Sequence, residues 1–331
     1  MVHPRHPNGA SDWVSVTPTP VILDCDPGHD DMVAIMLAAA NPAIDLRAIT
    51  TVAGNASLER VTHNARATCA LAGIAGVPIA AGADAPLIGP LTVADHVHGA
   101  SGLDGVELGV GDVPLHELHA VALAARVLER SAEPVTICAV GPLTNVALLV
   151  KVHPELVAAH VREIVVMGGT LGAGNVAPLA EFNVRTDPEA AAIVVASGVP
   201  VTLCPLDVTH QALATPAVLD RLRALRTPLA ETVAVLLAFF ADRYADIWGM
   251  PEPPLHDPVT VAHLIDPALL DIVEAHVAIE LHGSHTRGAT ACDRFGVTGQ
   301  APNAQIAIGI DAERFWDLVI DAVDRLGRPG A

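Results

Sequence analysis

Short runs rich in Val, Ile and Thr recur along this chain, and Ala- and Leu-rich stretches with helical spacing separate most of them. The runs are VILDCD (21–26), LRAITTVAG (46–54), VPIAAG (77–82), VTICAVG (135–141), REIVVMGG (162–169) and VPVTLCPLDVT (199–209). Segments such as MVAIMLAAA, LERVTHNARATCALAG and PEAAAIVVASG lie between them. Strand, helix and strand in series require right-handed crossovers, and so a mainly parallel sheet. Near-continuous apolar strands fit burial on both faces. The expected fold class is therefore α/β: an open, mainly parallel sheet with helices on both faces. Two later runs, HVAIEL (276–281) and QIAIGI (305–310), predict a further strand pair. Residues 212–256 read as a helical insertion, AVLDRLRALR followed by ETVAVLLAFFADRYADIWG. No internal repeat or long linker interrupts the chain, so residues 20–331 are expected to form one domain. Residues 1–19, rich in Pro, Ser, Thr and Asn, read as a flexible extension.

Composition narrows the partners. Of 331 residues 51% are hydrophobic but only 3% aromatic, so Ala, Val, Leu and Ile must build the core. A formal net charge of −19 repels nucleic acid and anionic membrane surfaces. No run reaches the roughly 18 consecutive apolar residues of a membrane span. The first residues lack the apolar stretch of a secretory leader. The five cysteines, Cys25, Cys69, Cys138, Cys204 and Cys292, have no zinc-ligand spacing and are odd in number. They read as small hydrophobes in a reducing compartment, and the expected location is the cytoplasm.

One stretch resists a purely structural explanation. DCDPGHDD places Asp24, Asp26, Asp30 and Asp31 in a strand-to-helix turn. Alternate strand residues share a face, so Asp24 and Asp26 point together. Acidic residues at a helix start favour the dipole, which explains one of Asp30 and Asp31 but not all four. A compact turn holds this much like charge only with positive charge among the carboxylates, or with one of them protonated. A hard divalent cation such as calcium, which takes about six to eight oxygen ligands, satisfies the set; magnesium fits on the same grounds. Further polar residues follow the other runs: Asn55, the GPLTN turn, GGTLGAGN and AEFN. In open parallel sheets ligands bind beyond the carboxyl ends of the strands, so these residues converge on one edge, the expected active site.

The order of these motifs resembles one family, the calcium-dependent nucleoside hydrolases of the inosine-uridine preferring type. DCDPGHDD is similar to the family's opening motif. TTVAGNASLE, HGASGLDG, AVGPLTNVAL, VMGGTLGAGNVAPLAEFNVRTDPEAA and PLHDPVTVA match its later segments in order. The resemblance spans about residue 20 to the C-terminus. The histidine of PGHDD and the FFADRYADIWGMPEPPLHDP segment lean toward the branch acting on pyrimidine nucleosides.

The resemblance implies hydrolysis of the N-glycosidic bond of a small-molecule ribonucleoside by a calcium-bound water, with one calcium per chain. It makes Asp26 both metal ligand and general base. Asp31, Asp257 and the carbonyl of Val140 are the other implied ligands, with Asp24 orienting them from behind. Asp30, Asn55, Glu181 and Asn183, with Asn175 beside them, match ribose-binding positions. Met167 and Phe182 stand as apolar walls. His256 is the candidate for activating the leaving base, and His98, Tyr244 and Trp248 are expected on the same side. The family also implies a homodimer or homotetramer. Two other readings compete. A phosphohydrolase would use Asp24 or Asp26 as nucleophile, but it needs a lysine, and Lys151 is the only one. A non-catalytic calcium- or ribose-binding relative would bind without turnover.

Overall fold

The computed structural model describes residues 17–328. Of the expected N-terminal extension, residues 1–16 lie outside the described residues, and Thr19 already belongs to the first strand. Nine strands form one sheet: β1 (Thr19–Cys25), β2 (Ile44–Thr51), β3 (Ile79–Ala81), β4 (Val135–Ala139), β5 (Val161–Met167), β6 (Val201–Cys204), β7 (Leu270–Ile279), β8 (Thr290–Asp293) and β9 (Ala304–Ile310). Their order is β3-β2-β1-β4-β5-β6-β9-β7-β8. All pairings from β3 through to β9 are parallel, while β7 runs antiparallel to both β9 and β8. The chain winds outward from β1 to β3, returns, and winds the other way from β4. That reversal opens a crevice between β1 and β4 at their carboxyl ends, the place where such sheets receive ligands.

Val- and Ile-rich strands are buried on both faces because helices cover both. β4, VTICA, is buried throughout. On one face the helix His29–Ala40 is almost entirely enclosed, with Met32, Ile35, Met36 and Leu37 fully buried. The C-terminal helix Ala312–Gly327 packs over it, and Phe315, fully buried, joins the same core. Helices Ala120–Arg130, Thr144–Val152 and Pro188–Val195 cover the other face.

Three boundaries differ from the sequence reading. The run 199–209 does not stay extended: Pro205 lacks the N–H that a ladder needs, and Leu206–Thr209 turns into a short helix. β7 begins at Leu270, earlier than expected, because Leu270–Ala275 pair along the whole of β9, while His276–Ile279 pair with β8 instead. β8, TACD, is too short and mixed to give a periodic signal.

The insertion is two helices, Pro216–Ala224 and Pro228–Trp248. Each starts with a threonine cap and a proline in its first turn, the combination that satisfies free N–H groups and fixes φ. Gly249, at φ 69°, closes the second helix in the left-handed region. The two ends of the excursion are pinned together: Leu255 N–H donates to the Ala212 carbonyl (2.9 Å), and Ala214 N–H donates to the Pro253 carbonyl (2.9 Å).

Phe315 supports the helix that carries Asp30 and Asp31. Replacing it with alanine is expected to destabilise the protein by about 3–5 kcal/mol, since the surrounding core relaxes only partly. Chemical denaturation of the Phe315→Ala variant checks this; a loss below about 1 kcal/mol would contradict the packing described.

Candidate active site

The carboxylates gather where β1 ends and the next helix begins. Asp31 folds back over its own helix start, accepting from the N–H groups of Asp26 (3.0 Å) and Gly28 (2.9 Å). Asp26 takes one hydrogen bond at Oδ2, from the Asn55 N–H (2.7 Å). Its carboxylate is wedged between Gly54 and Gly141, where a Cβ on either glycine would collide with it. Asp26 Oδ1 is buried and has no hydrogen-bond partner among the described residues. Asp24 Oδ1 accepts from Thr50 Oγ1 (2.5 Å) and Asn145 Nδ2 (2.8 Å), while its Oδ2 is buried without a partner. Asp257 arrives at the head of the helix Pro258–Ile265. Oxygens of Asp30, Asp31 and Asp257 lie within 4.8 Å of one another. The tightest trio therefore contains Asp30, with Asp26 joined to it through Asp31.

Burial pushes every one of these carboxyls upward: Asp24 to about 7, Asp30 to about 8, and Asp26, Asp31 and Asp257 in the same direction. Repulsion adds to burial, from Asp31 on Asp26 and from Asp30 and Asp31 on Asp257. Only oxygen atoms converge here. The neighbouring His256 has both ring nitrogens engaged elsewhere, within 2.7 Å of Thr209 Oγ1 and of Tyr244 Oη. An all-oxygen, strongly negative donor set with an unpartnered carboxylate oxygen fits a hard metal ion.

A cavity opens over this cluster. Asp30, Asn55, Val140, Met167, Asn175, Glu181, Phe182 and Asn183 line it together with His98, Tyr244, Trp248, His256 and Asp257. Asp24, Asp26 and Asp31 are buried and are not among its lining residues; Asn55, which lines it, bonds Asp26 and Asp31. Asn55 Nδ2 donates to the Asp26 carbonyl (3.0 Å) and to Asp31 Oδ2 (3.2 Å). Asn183 Nδ2 donates to the carbonyls of Val140 (2.8 Å) and Met167 (3.2 Å), so it spans the ends of β4 and β5. Glu181 caps the helix Phe182–Thr186 and accepts from the N–H groups of Gly169, Asn183 and Val184. Burial still lifts its carboxyl to about 7. Asn175 Oδ1 accepts from the Phe182 N–H (3.0 Å). Tyr244 and Trp248 rings lie 4.5 Å apart, centroid to centroid. Burial, with repulsion from His210, holds His256 down to about 3, so its ring is neutral.

Several supporting residues escaped the sequence reading. Thr50 and Asn145 hold Asp24; Asn145 is the last residue of GPLTN, a motif visible in the sequence without a role for that position. Asp187 bonds Thr144 Oγ1 (2.7 Å) and the Leu87 and Ala190 N–H groups, locking the same turn. Thr209 bonds His256, and nothing in its local sequence signals this. Lys151 is exposed in the last turn of the helix Thr144–Val152 and does not line the cavity, so no lysine serves a phosphate there.

A mainly parallel sheet whose carboxyl edge carries a cavity lined by carboxylates, amides and aromatic rings defines an α/β protein with a site for a small ligand. Comparison with known proteins specifies it. The family model described as inosine-uridine preferring nucleoside hydrolase matches residues 21–317, and the chain belongs to that family. It is a ribonucleoside hydrolase acting on small-molecule ribonucleosides. It is 46% identical over 303 residues to the pyrimidine-specific ribonucleoside hydrolase RihA of Escherichia coli O17:K52:H18, covering 91% of this chain and 97% of that one. Among solved structures, it is similar to a purine-preferring ribonucleoside hydrolase from Gardnerella vaginalis, with TM-score 0.87, 30% identity, and 93% and 99% of the two chains covered. The plant nucleoside hydrolase PpNRh1 gives TM-score 0.85 and 31% identity over 94% and 100%. Among the described residues no helix is long and apolar enough to cross a membrane. All five cysteines are free, and four are buried.

The raised carboxyls make a pH prediction for protein stripped of divalent ions by a chelator. The folded state then binds protons that the unfolded chain releases near 3.8, so this contribution to stability is lost as pH rises from there toward about 8. The melting temperature of stripped protein is expected to fall between about pH 5 and pH 8, and added calcium to remove most of that fall. A flat profile in the stripped protein would contradict the electrostatics described.

Proposed function

We propose that the protein hydrolyses the N-glycosidic bond of pyrimidine ribonucleosides, with calcium held by the carboxylates of Asp26, Asp31 and Asp257 and the carbonyl of Val140. The observation that carries the chemistry is the buried, unpartnered Oδ1 of Asp26 beside three further carboxylates. Bound calcium supplies the positive charge that makes a water acidic at neutral pH. Asp26 accepts the proton of the attacking water, and the bond from Asn55 and the wedge of Gly54 and Gly141 fix its carboxylate for that role. Asp24, held by Thr50 and Asn145, steadies β1 behind it. Asp30, Asn55, Asn175, Glu181 and Asn183 hold the ribose hydroxyls, with Met167 and Phe182 against the ring. Carboxylates around the sugar stabilise the positive charge that develops as the bond to the base breaks.

The base side is built differently. His256 is clamped between Thr209 and Tyr244, so its nitrogens reach the base only through the Tyr244 hydroxyl. We assign Tyr244 as the group whose hydroxyl meets the departing base, with His256 orienting that hydroxyl from behind and Trp248 and His98 bordering the pocket. The pyrimidine preference is supported by the 46% identity to a pyrimidine-specific enzyme. Unpaired cysteines support a cytoplasmic setting, and the family resemblance supports a homodimer or homotetramer. Initial rates on uridine, cytidine, inosine and adenosine test the preference; inosine turned over faster than uridine and cytidine would overturn it.

Asp26→Asn keeps the shape of the side chain but cannot take a proton. It is expected to lose about 10²–10⁴-fold or more in kcat with the fold intact by circular dichroism. A variant keeping more than about a tenth of the wild-type rate would refute the base assignment.

Leaving-group help and ribose recognition separate on a substrate whose leaving group departs unaided. Tyr244→Phe and His256→Ala are expected to lose far more rate on uridine than on p-nitrophenyl riboside. Asn183→Ala is expected to lose comparable rate on both, because the ribose is common to both transition states. Equal losses on the two substrates for folded Tyr244→Phe would remove Tyr244 from the leaving-group role.

A further inference from the structure

His29 opens the helix that carries Asp30 and Asp31, a position where many residues fit, yet its ring is fully buried and makes polar contacts only to the opposite wall of the cavity. Its Nε2 faces the Asp104 carbonyl at 2.9 Å; a carbonyl only accepts, so Nε2–H donates. Its Nδ1 lies 3.1 Å from His98 Nδ1, one hydrogen shared between them. The His29 backbone N–H also approaches His98 Nδ1, at 3.4 Å. The ring stacks on Phe239 (5.4 Å), Phe240 (5.3 Å) and His98 (5.4 Å), with interplanar angles of 15°, 11° and 20°. Gly28 completes the fit, since a Cβ there would sit 2.6 Å from His98 Nδ1.

Other contacts tie down the backbone of the segment that carries His98. Asn64 Nδ2 donates to the Pro27 carbonyl (2.9 Å) and the Ser101 carbonyl (3.1 Å). Arg243 Nη2 donates to the His96 carbonyl (2.8 Å). Among the described residues, only His29 makes polar contact with the His98 ring itself. His98 borders the cavity on the side of Tyr244 and His256.

We propose that His29 is a positioning residue for substrate recognition: it braces the His98 ring and the 94–105 segment against the catalytic helix, and so fixes where His98 meets the nucleoside. The link joins the helix that holds the carboxylates to the wall that contacts the base. A displacement of His98 by about 1 Å is enough to cost of the order of 100-fold in a positioned contact. This inference rests on the reading that His98 touches the substrate.

The test uses the full-length, calcium-loaded enzyme with uridine as substrate. His29→Phe keeps the stacked ring and removes both side-chain polar contacts. His29→Gln keeps a donor where Nε2 stands. His29→Phe is expected to lower kcat/KM by about 100-fold while bound calcium per chain is unchanged, and His29→Gln to recover much of that loss. In a His98→Ala background, His29→Phe is expected to add little, because the residue it positions is gone. If the two losses multiply instead, His29 does not act through His98 and the proposal fails. If His98→Ala alone leaves kcat/KM unchanged, the substrate role of His98 fails and the proposal falls with it. Should His29→Phe fold poorly or lose calcium, the same cycle run with His29→Gln decides: a non-additive cycle supports the coupling, and a multiplicative one overturns it.

Discussion

Repulsion among buried carboxylates is the constraint on which this architecture turns. Asp24, Asp26, Asp30, Asp31 and Asp257 share one desolvated corner, and burial there disfavours the charged form of each. The fold answers with directed dipoles. Backbone N–H groups of Asp26 and Gly28 serve Asp31, that of Asn55 serves Asp26, and the side chains of Thr50 and Asn145 serve Asp24. These bonds offset part of the burial cost, but they leave one oxygen of Asp26 and one of Asp24 bare. An ion of opposite charge removes the remaining penalty, so folding and metal affinity draw on the same free energy.

The remaining architecture divides labour around that corner. Asp26, Asn55 and Val140 follow strand ends, and Asn183 comes from the short helix Phe182–Thr186. Each is fixed by hydrogen bonds to its neighbours, as Asn55 is to Asp26 and Asn183 to the carbonyls of Val140 and Met167. Other residues lining the cavity come from elsewhere, from the 94–105 segment and from the long helix Pro228–Trp248. Their packing is aromatic: Phe240, Tyr244, Trp248, His29 and His98 stack on one another rather than on the main core. Sheet-borne positions suit a reaction common to all nucleosides, and the stacked wall suits a part of the substrate that varies.

Much of this was legible in the sequence because it rests on local signals. Apolar runs of strand length and intervening helical spacing gave the parallel sheet, and the DCDPGHDD turn gave the charged corner. Residues brought together over long separations left weaker marks. Thr209 supports His256 across 47 positions, and Asn145 reaches Asp24 across 121, with no local pattern announcing either bond. Pro205 was a clear breaker, yet the run around it read as extended because its apolar content outweighed the single missing donor. β8 pairs with β7 through four residues whose composition favours nothing in particular. His29 was visible as a member of a motif, but its partner lies 69 residues away.

The pinned ends of the two-helix excursion carry a consequence for how such an enzyme diversifies. Ala212 and Leu255 are hydrogen-bonded neighbours, so the residues between them leave the body and return to the same point. Helices of other length can be grafted across that junction without altering any strand register, provided they keep the apolar face that Val233, Leu236 and Leu237 pack into the core. The return point, however, is followed at once by His256 and then Asp257. The segment that re-enters the body therefore places His256, bonded to Tyr244 of the long helix, and Asp257, of the carboxylate cluster, in a single stroke. Inheritance of a new specificity through this excursion is free at its exposed positions and tightly constrained on its buried face, which includes Tyr244, and over its last few residues.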